Sequence, residues 1–234
     1  MNFAPLSPAQ LDSYRSLSTC VVASAIETFK VRLPNTGFSD SSVHCIFPDF
    51  APIVGYAATA RIRSSRPPME GGSYYDRTDW WNELLKIPAP RVVVIEDVDR
   101  PEGLGAFVGE VHANILRALG CVAVVTNGAV RDLTKVHESG FQMFAGNVSV
   151  SHAYAHVFEF GTKVNVGKME VHPGELLHGD RHGVQTVPSE IAAEVPQAAE
   201  LIMKKRAELV EFCRSKHFSL ERLWVEVKSI ESRY

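Results

Sequence analysis

Two short stretches hold the residue types best suited to chemistry. Gly103-Leu104-Gly105-Ala106-Phe107-Val108-Gly109 follows an apolar run and opens a helical pattern. Gly128-Ala129-Val130-Arg131-Asp132 follows the next apolar run. Glycines let the backbone approach a ligand closely, and amides at a helix N-terminus favour an anion. A planar guanidinium can offer a carboxylate or enolate two parallel donors. Small carboxylates therefore suit this pair of stretches as well as phosphates do. Arg131 and Asp132 are sequence neighbours, so their side chains are expected to project apart rather than neutralise each other. The plain alternative is a surface arginine followed by a helix-capping aspartate.

The glycine segment also invites a dinucleotide reading. Two features oppose it. Asp97, Asp99 and Glu102 stand just before the phosphate cradle, and the next strand ends in Thr126-Asn127, where a ribose would want an acid. His152 and His156 have an i, i+4 spacing that would supply half a zinc site on a helix, but no third ligand accompanies them. His172, His178 and His182 share a loop region and read as solvated or structural. Trp80-Trp81 and Tyr74-Tyr75 read as core or interface aromatics, and Lys204-Lys205-Arg206 as a solvated helix face. No Ser-His-Asp or Cys-His arrangement can be argued.

The elements that must position these residues follow from periodicity. Ser7-Pro8-Ala9-Gln10 is a helix start, with a second helix from Ser18 or Thr19 to Phe29. Short strands are predicted at 43–47 and 53–62, a mobile loop at 64–77, and a short helix at 79–85. Arg91–Asp97 and Cys121–Thr126 are apolar runs of the kind buried on both faces. With the helix at 109–119 between them, they form a right-handed βαβ unit. Further strands are predicted at 142–145, 157–160, 164–166, 169–171 and 184–187. A long helix is predicted at 189–216, broken or kinked by Pro196, and a last one at 218–234.

The chain has 234 residues, 45% of them apolar and 22% charged, as expected of a globular protein. Its formal charge of -3 leaves no basic surplus for tracking a nucleic-acid backbone. Four cysteines lack metal-ligand spacing, and Cys20 and Cys121 lie in apolar stretches that predict buried thiols. The first residues lack the pattern of a secretory signal, and no run nears the ~20 apolar residues that span a bilayer. A cytoplasmic protein that binds neither nucleic acid nor membrane is expected.

Taken together, Gly105-Ala-x-x-Gly109-Glu110, Gly120, Gly128-x-x-Arg131-Asp132, Val171-x-Pro173-Gly174-Glu175 and Gly179-Asp180-x-x-Gly183-Val184 resemble the RraA-like family over roughly residues 18–188. That family includes 4-hydroxy-4-methyl-2-oxoglutarate aldolases, which are also oxaloacetate decarboxylases, and proteins labelled demethylmenaquinone methyltransferases. The resemblance implies an α/β fold, an αββα sandwich of the swivelling, phosphohistidine-domain-like type, over residues 1–200. Residues 201–234 would form a C-terminal helical extension packed on that domain or on a neighbouring subunit. It also implies trimers, or hexamers of two trimers, with active sites between subunits.

Carried onto this chain, the resemblance makes Arg131 the arginine on the substrate carboxylate and keto oxygen, and Asp132 the ligand of Mg²⁺ or Mn²⁺. Glu110 becomes the acid near the metal water, and the amides of Gly105, Ala106, Phe107, Val108 and Gly109 hold the pyruvyl carboxylate. Glu208 is the counterpart of a glutamate contributed by a second subunit. Three positions depart from the pattern: Ser24 stands where the family carries Asp after Thr19, Glu175 where it carries Asp, and Asn127 stands before Gly128. The implied activity is metal-dependent cleavage of a short 2-keto acid to pyruvate, by retro-aldol reaction or decarboxylation. The alternative is a non-catalytic regulator that binds and inhibits an RNA-degrading endonuclease, since such members keep the same Arg-Asp element.

Overall fold

A computed structural model describes residues 5–68 and 78–233. The loop expected at 64–77 therefore falls mostly outside the described residues, as do Tyr74 and Tyr75. Helix α1 (Pro8–Arg15) starts as its sequence predicts: the Gln10 amide donates to Ser7 Oγ, and the Ser7 amide donates to Gln10 Oε1. Ser18 caps α2 (Thr19–Phe29) by accepting from the Val21 amide. The chain then runs through β1 (His44–Cys45), β2 (Ile53–Arg63), α3 (Thr78–Leu85), β3 (Arg91–Asp97), β4 (Ala106–Val108), α4 (Glu110–Ala118) and β5 (Cys121–Val130). Next come α5 (Leu133–Ser139), β6 (Gln142–Val148), β7 (His156–Phe160), β8 (Val164–Val166), β9 (Met169–Val171), β10 (Leu176–Asp180) and β11 (Gly183–Val187). Helices α6 (Val195–Arg214) and α7 (Leu220–Arg233) close the chain.

Strands β2, β3, β5 and β6 are mutually parallel, in the order β6-β5-β3-β2. Antiparallel β1 extends one edge, and antiparallel β10 and β11 extend the other. Strand β7 pairs with the second half of β2, and β4 pairs with the last residues of β5, beyond the end of β3. The period-2 alternation of side chains sends Val93 and Ile95 toward α3, α4 and α5, where they meet Trp80, Leu84, Leu116 and Val136. Val92 and Val94 point the other way, into a cluster with Ala123, Val125, Phe144, Leu177 and the β8–β9 hairpin. The sheet curls around that second cluster until Phe144 of β6 lies against Gly179 of β10. Helices α1, α2 and α6 cover the far side through Leu11, Tyr14, Val22, Ile26 and Val195. The result is the expected αββα layering.

Several expectations need correction. Pro196 sits in the first turn of α6, where a missing N–H costs nothing, so it starts the helix rather than kinking it. Helix α6 then pairs with α7, where Arg233 meets Glu208 at 3.1 Å and Glu226 at 3.2 Å. Strand β5 continues four residues past Thr126, so Gly128 lies inside a strand. Residues 176–180 form β10, buried between β2 and β11, rather than a loop. Cys20 is exposed. Of the two readings offered for Trp80, core or interface, the core one holds: it is buried, as are Phe141 and Phe144. Among the described residues no helix is long and apolar enough to cross a membrane.

Candidate functional site

The site is built at the carboxyl ends of β4 and β5 and the N-terminus of α4. Its foundation is Asp97, fully buried at the end of β3. One carboxylate oxygen accepts from the Asp99 amide at 3.0 Å, and the other from the Gly103 amide at 2.9 Å. Burial pushes its pKa up, and these two amides pull against that rise. The Asn127 side chain brackets the same residue: the Asp97 amide donates to Oδ1 at 2.8 Å, and Nδ2 donates to the Asp97 carbonyl at 2.9 Å. Asp99 in turn accepts from the Ser64 and Ser65 amides at 2.6 and 2.8 Å. Asp97 and Asp99, two of the carboxylates that argued against a phosphate site, thus fasten the loop that leads to the glycines.

From there the chain is pinned as β4. The Ala106 amide donates to the Ser151 carbonyl at 2.9 Å, and the Arg131 amide donates to the Val108 carbonyl at 3.0 Å. Gly105 to Gly109 are all buried. Gly105 is required by proximity, because a Cβ there would lie 2.4 Å from the His152 carbonyl oxygen. Gly109 is required by the site itself. A Cβ at Gly109 would lie 2.4 Å from Asp132 Oδ2, 2.9 Å from Arg131 Cγ and 3.0 Å from Arg131 Nε.

Asp132 sits in the left-handed region at φ 56°, ψ 39°, a conformation aspartate tolerates better than most residues. It occupies the N-cap position of α5 but makes no cap bond there. Its carboxylate turns instead to α4, where Oδ2 accepts from the Glu110 amide at 3.0 Å. A negative group at that helix end is electrostatically favoured. Arg131 Nε approaches the same oxygen at 3.3 Å, so the two neighbours do pair, contrary to the expectation that they diverge. Among the described residues, nothing pairs with the two terminal nitrogens of Arg131 or with Asp132 Oδ1. Both side chains are about one-third exposed, and Glu110 is exposed beside them.

The structure thus brings together Gly109, Glu110, Arg131 and Asp132. It does not bring Glu208 to them within the chain: that residue lies on α6 with Arg233. Ser24 lies on α2 and accepts from Arg206 Nη2 at 2.7 Å, again at the α2–α6 face. Glu175 closes its own turn by accepting from the His172 amide at 3.0 Å. Among the described residues no three His, Cys, Asp or Glu side chains are grouped to hold a metal. His156 starts β7 and His152 precedes it in a turn, so they share no helix. His178 is buried between Thr19 Oγ1 and the Tyr14 carbonyl, away from exposed His172.

The Asp97–Asn127 bracket was not foreseen. Its only sequence signal is an acid and an amide ending neighbouring apolar strands. His112 was also missed. Buried on α4, it donates from Nδ1 to the Phe107 carbonyl at 2.8 Å, and burial depresses its pKa to about 4. It backs β4 as a neutral ring.

Residues 19–185 match the RraA-like family, described as Aldolase/RraA. A protein of Halalkalibacterium halodurans named "Putative 4-hydroxy-4-methyl-2-oxoglutarate aldolase" is 26% identical over 104 residues, 44% of this chain and 48% of its own. The chain thus spans about half the length of that curated relative. The structure of an uncharacterized protein from Pseudomonas syringae pv. tomato superposes with a TM-score of 0.73 at 18% identity, covering 100% of this chain and 98% of that one. Streptomyces coelicolor RraAS2, described as an unusual member of the RNase ES inhibitor RraA protein family, superposes at 0.67 with 18% identity, covering 87% and 97%. These structural likenesses show the fold, and the family match covers most of the sequence. The chain belongs to the RraA-like family.

Proposed function

We propose that this chain is a divalent-metal-dependent lyase that cleaves a short 2-keto acid to pyruvate. The substrates in view are 4-hydroxy-4-methyl-2-oxoglutarate, by retro-aldol cleavage, and oxaloacetate, by decarboxylation. The supporting observation is the pair of free groups at the N-terminus of α4: two terminal guanidinium nitrogens and one carboxylate oxygen, side by side. A single carboxylate with an open face and a second acid nearby suits Mg²⁺ or Mn²⁺ that keeps several waters. Asp132 would hold that cation, with Glu110 beside it. When bound, the cation supplies Lewis acidity toward the substrate's keto oxygen.

The protein's own groups do the remaining work. Breaking the carbon–carbon bond next to a 2-keto acid leaves the electron pair as a pyruvate enolate, with negative charge on the former keto oxygen. Arg131 donates to the substrate carboxylate and to that oxygen as its charge grows. Glu110 accepts the proton of the C4 hydroxyl in the retro-aldol reaction. Decarboxylation releases CO₂ and leaves the same enolate without needing a base, so one site serves both reactions. Protonation at carbon completes pyruvate.

Self-association belongs to the same proposal. Exposed Leu104, Val111, Val148, Val150 and Tyr154 flank the site, giving it an apolar rim of the kind that marks contact surfaces. Light scattering is expected to report a trimer or hexamer; a monomer at micromolar concentration would remove the shared site. The alternative of a protein-binding regulator draws on α7, where Leu220, Trp224 and Val225 are exposed. Pyruvate release from both substrates, with Mg²⁺ and with excess chelator, separates the two readings. Metal-dependent release supports the lyase, and none from either substrate leaves the regulator.

A further inference from the structure

We propose that a cavity between α2, residues 32–39 and β11, in a different helical layer from Arg131, binds a small apolar α-amino acid. The cavity measures about 280 Å³, near the ~300 Å³ lower end of ligand sites and too small for a nucleotide. One side is apolar, with Ile26 on α2, Phe38 on the loop and Val184 on β11. Phe38 and Leu33 stand partly exposed at its edge.

The polar side carries opposite charges from two elements, Glu27 on α2 and Arg32 on the loop. Arg32 is held rigidly: Nη1 donates to the Thr186 carbonyl at 2.8 Å and to its hydroxyl at 2.9 Å, and Nη2 donates to Gln185 Oε1 at 3.3 Å. Gln185 is fully buried and tied in turn to the Thr19 carbonyl at 2.8 Å. The Nε–H of Arg32 has no partner among the described residues. A pre-oriented, partly desolvated guanidinium is a carboxylate receptor.

Glu175 and Glu27 both act on Arg32, so a plain anion would meet uncompensated negative charge. A zwitterion offsets part of that charge: its carboxylate faces Arg32, its ammonium faces Glu27, and its side chain lies on Ile26, Phe38 and Val184. The cavity would bind its ligand whether or not Arg131 and Asp132 support cleavage.

The test uses the full chain and L-leucine as probe. Calorimetry is expected to show saturable binding. 4-Methylpentanoate, which lacks the ammonium, and isopentylamine, which lacks the carboxylate, should each bind about tenfold more weakly or worse, the loss of one charged hydrogen bond. Cys20 lines the cavity and is exposed, as is the distant Cys213. L-Leucine should slow alkylation of Cys20 and leave Cys213 unchanged. Ala23→Leu, which fills the cavity from α2, should abolish both binding and protection. No heat with L-leucine, equal binding of the truncated analogues, or binding without Cys20 protection would each overturn the proposal.

Discussion

Gly109→Ala isolates the geometry of the site from the stability of the fold. Gly109 has φ -136° and ψ -162°, extended backbone that any residue adopts, so the added methyl strains nothing in the chain itself. Its whole effect is contact. At 2.4 Å from Asp132 Oδ2, the methyl lies roughly 1 Å inside an ordinary carbon–oxygen approach. Arg131 Cγ and Nε, at 2.9 and 3.0 Å, close the opposite escape. The carboxylate and the guanidinium must therefore separate from the N-terminus of α4 by about that distance. Overpacking of this kind costs about 1–3 kcal/mol, toward the low end here because both side chains are partly exposed. For a chain of this size that lowers Tm by roughly 2–4 °C per kcal/mol. A 1 Å misplacement of catalytic groups costs about 10²-fold in rate. Gly174→Ala is the matched control: φ is +84°, nothing lies within 4 Å of its added Cβ, and backbone strain alone costs about 1–2 kcal/mol. Both variants should melt a few degrees early, but only Gly109→Ala should lose about two orders of magnitude in kcat/KM for oxaloacetate. Near-native turnover in Gly109→Ala, or equal losses in both, would refute the positioning argument.

Other outcomes follow from the same geometry. Arg131→Lys keeps the charge but loses the planar fork, so kcat should fall by about 10²-fold or more; a rise in KM alone would show ground-state binding only. His112 has a folded pKa of about 4 against 6.5 when unfolded, so its neutral form is the one the fold prefers. Stability from this group is complete above about pH 6.5 and is lost progressively as pH falls toward 4, by about 3 kcal/mol in all. Urea melts at pH 7 and 4.5 should show a smaller drop in His112→Asn than in the parent protein, and equal drops would contradict the burial argument.

The layering and most strands were legible because burial on both faces leaves a plain signature. Val92–Ile95 and Cys121–Val125 are unbroken apolar runs between punctuation, and their alternate residues do fill two different clusters. Three elements were not legible. Residues 106–108 are too few for any period and became β4 only because β5 runs on beyond the end of β3. Residues 176–180 carry His178 and Asp180, polar residues that suggest a loop until buried partners such as Thr19 and Tyr14 are seen. Pro196 lay inside a helical pattern whose true start, at Val195, was not marked by a cap side chain. At the site, Gly109, Glu110, Arg131 and Asp132 were readable as residue types. Their meeting was not, because it depends on Asp132 adopting a left-handed backbone and turning to the helix across from its own. The pairing of Asp97 with Asn127 spans thirty positions and follows only from the parallel register of β3 and β5.

In the proposed mechanism Asp132, through its free oxygen, supports metal-dependent cleavage beside Arg131. This role is tested most directly by pyruvate formation from oxaloacetate at saturating Mg²⁺, corrected for the spontaneous metal-catalysed decay. The parent protein and a folded Asp132→Ala variant are compared under the same conditions. A clear enzymatic rate that chelator abolishes is expected in the parent, and none above background in Asp132→Ala. Full activity in folded Asp132→Ala would contradict this role.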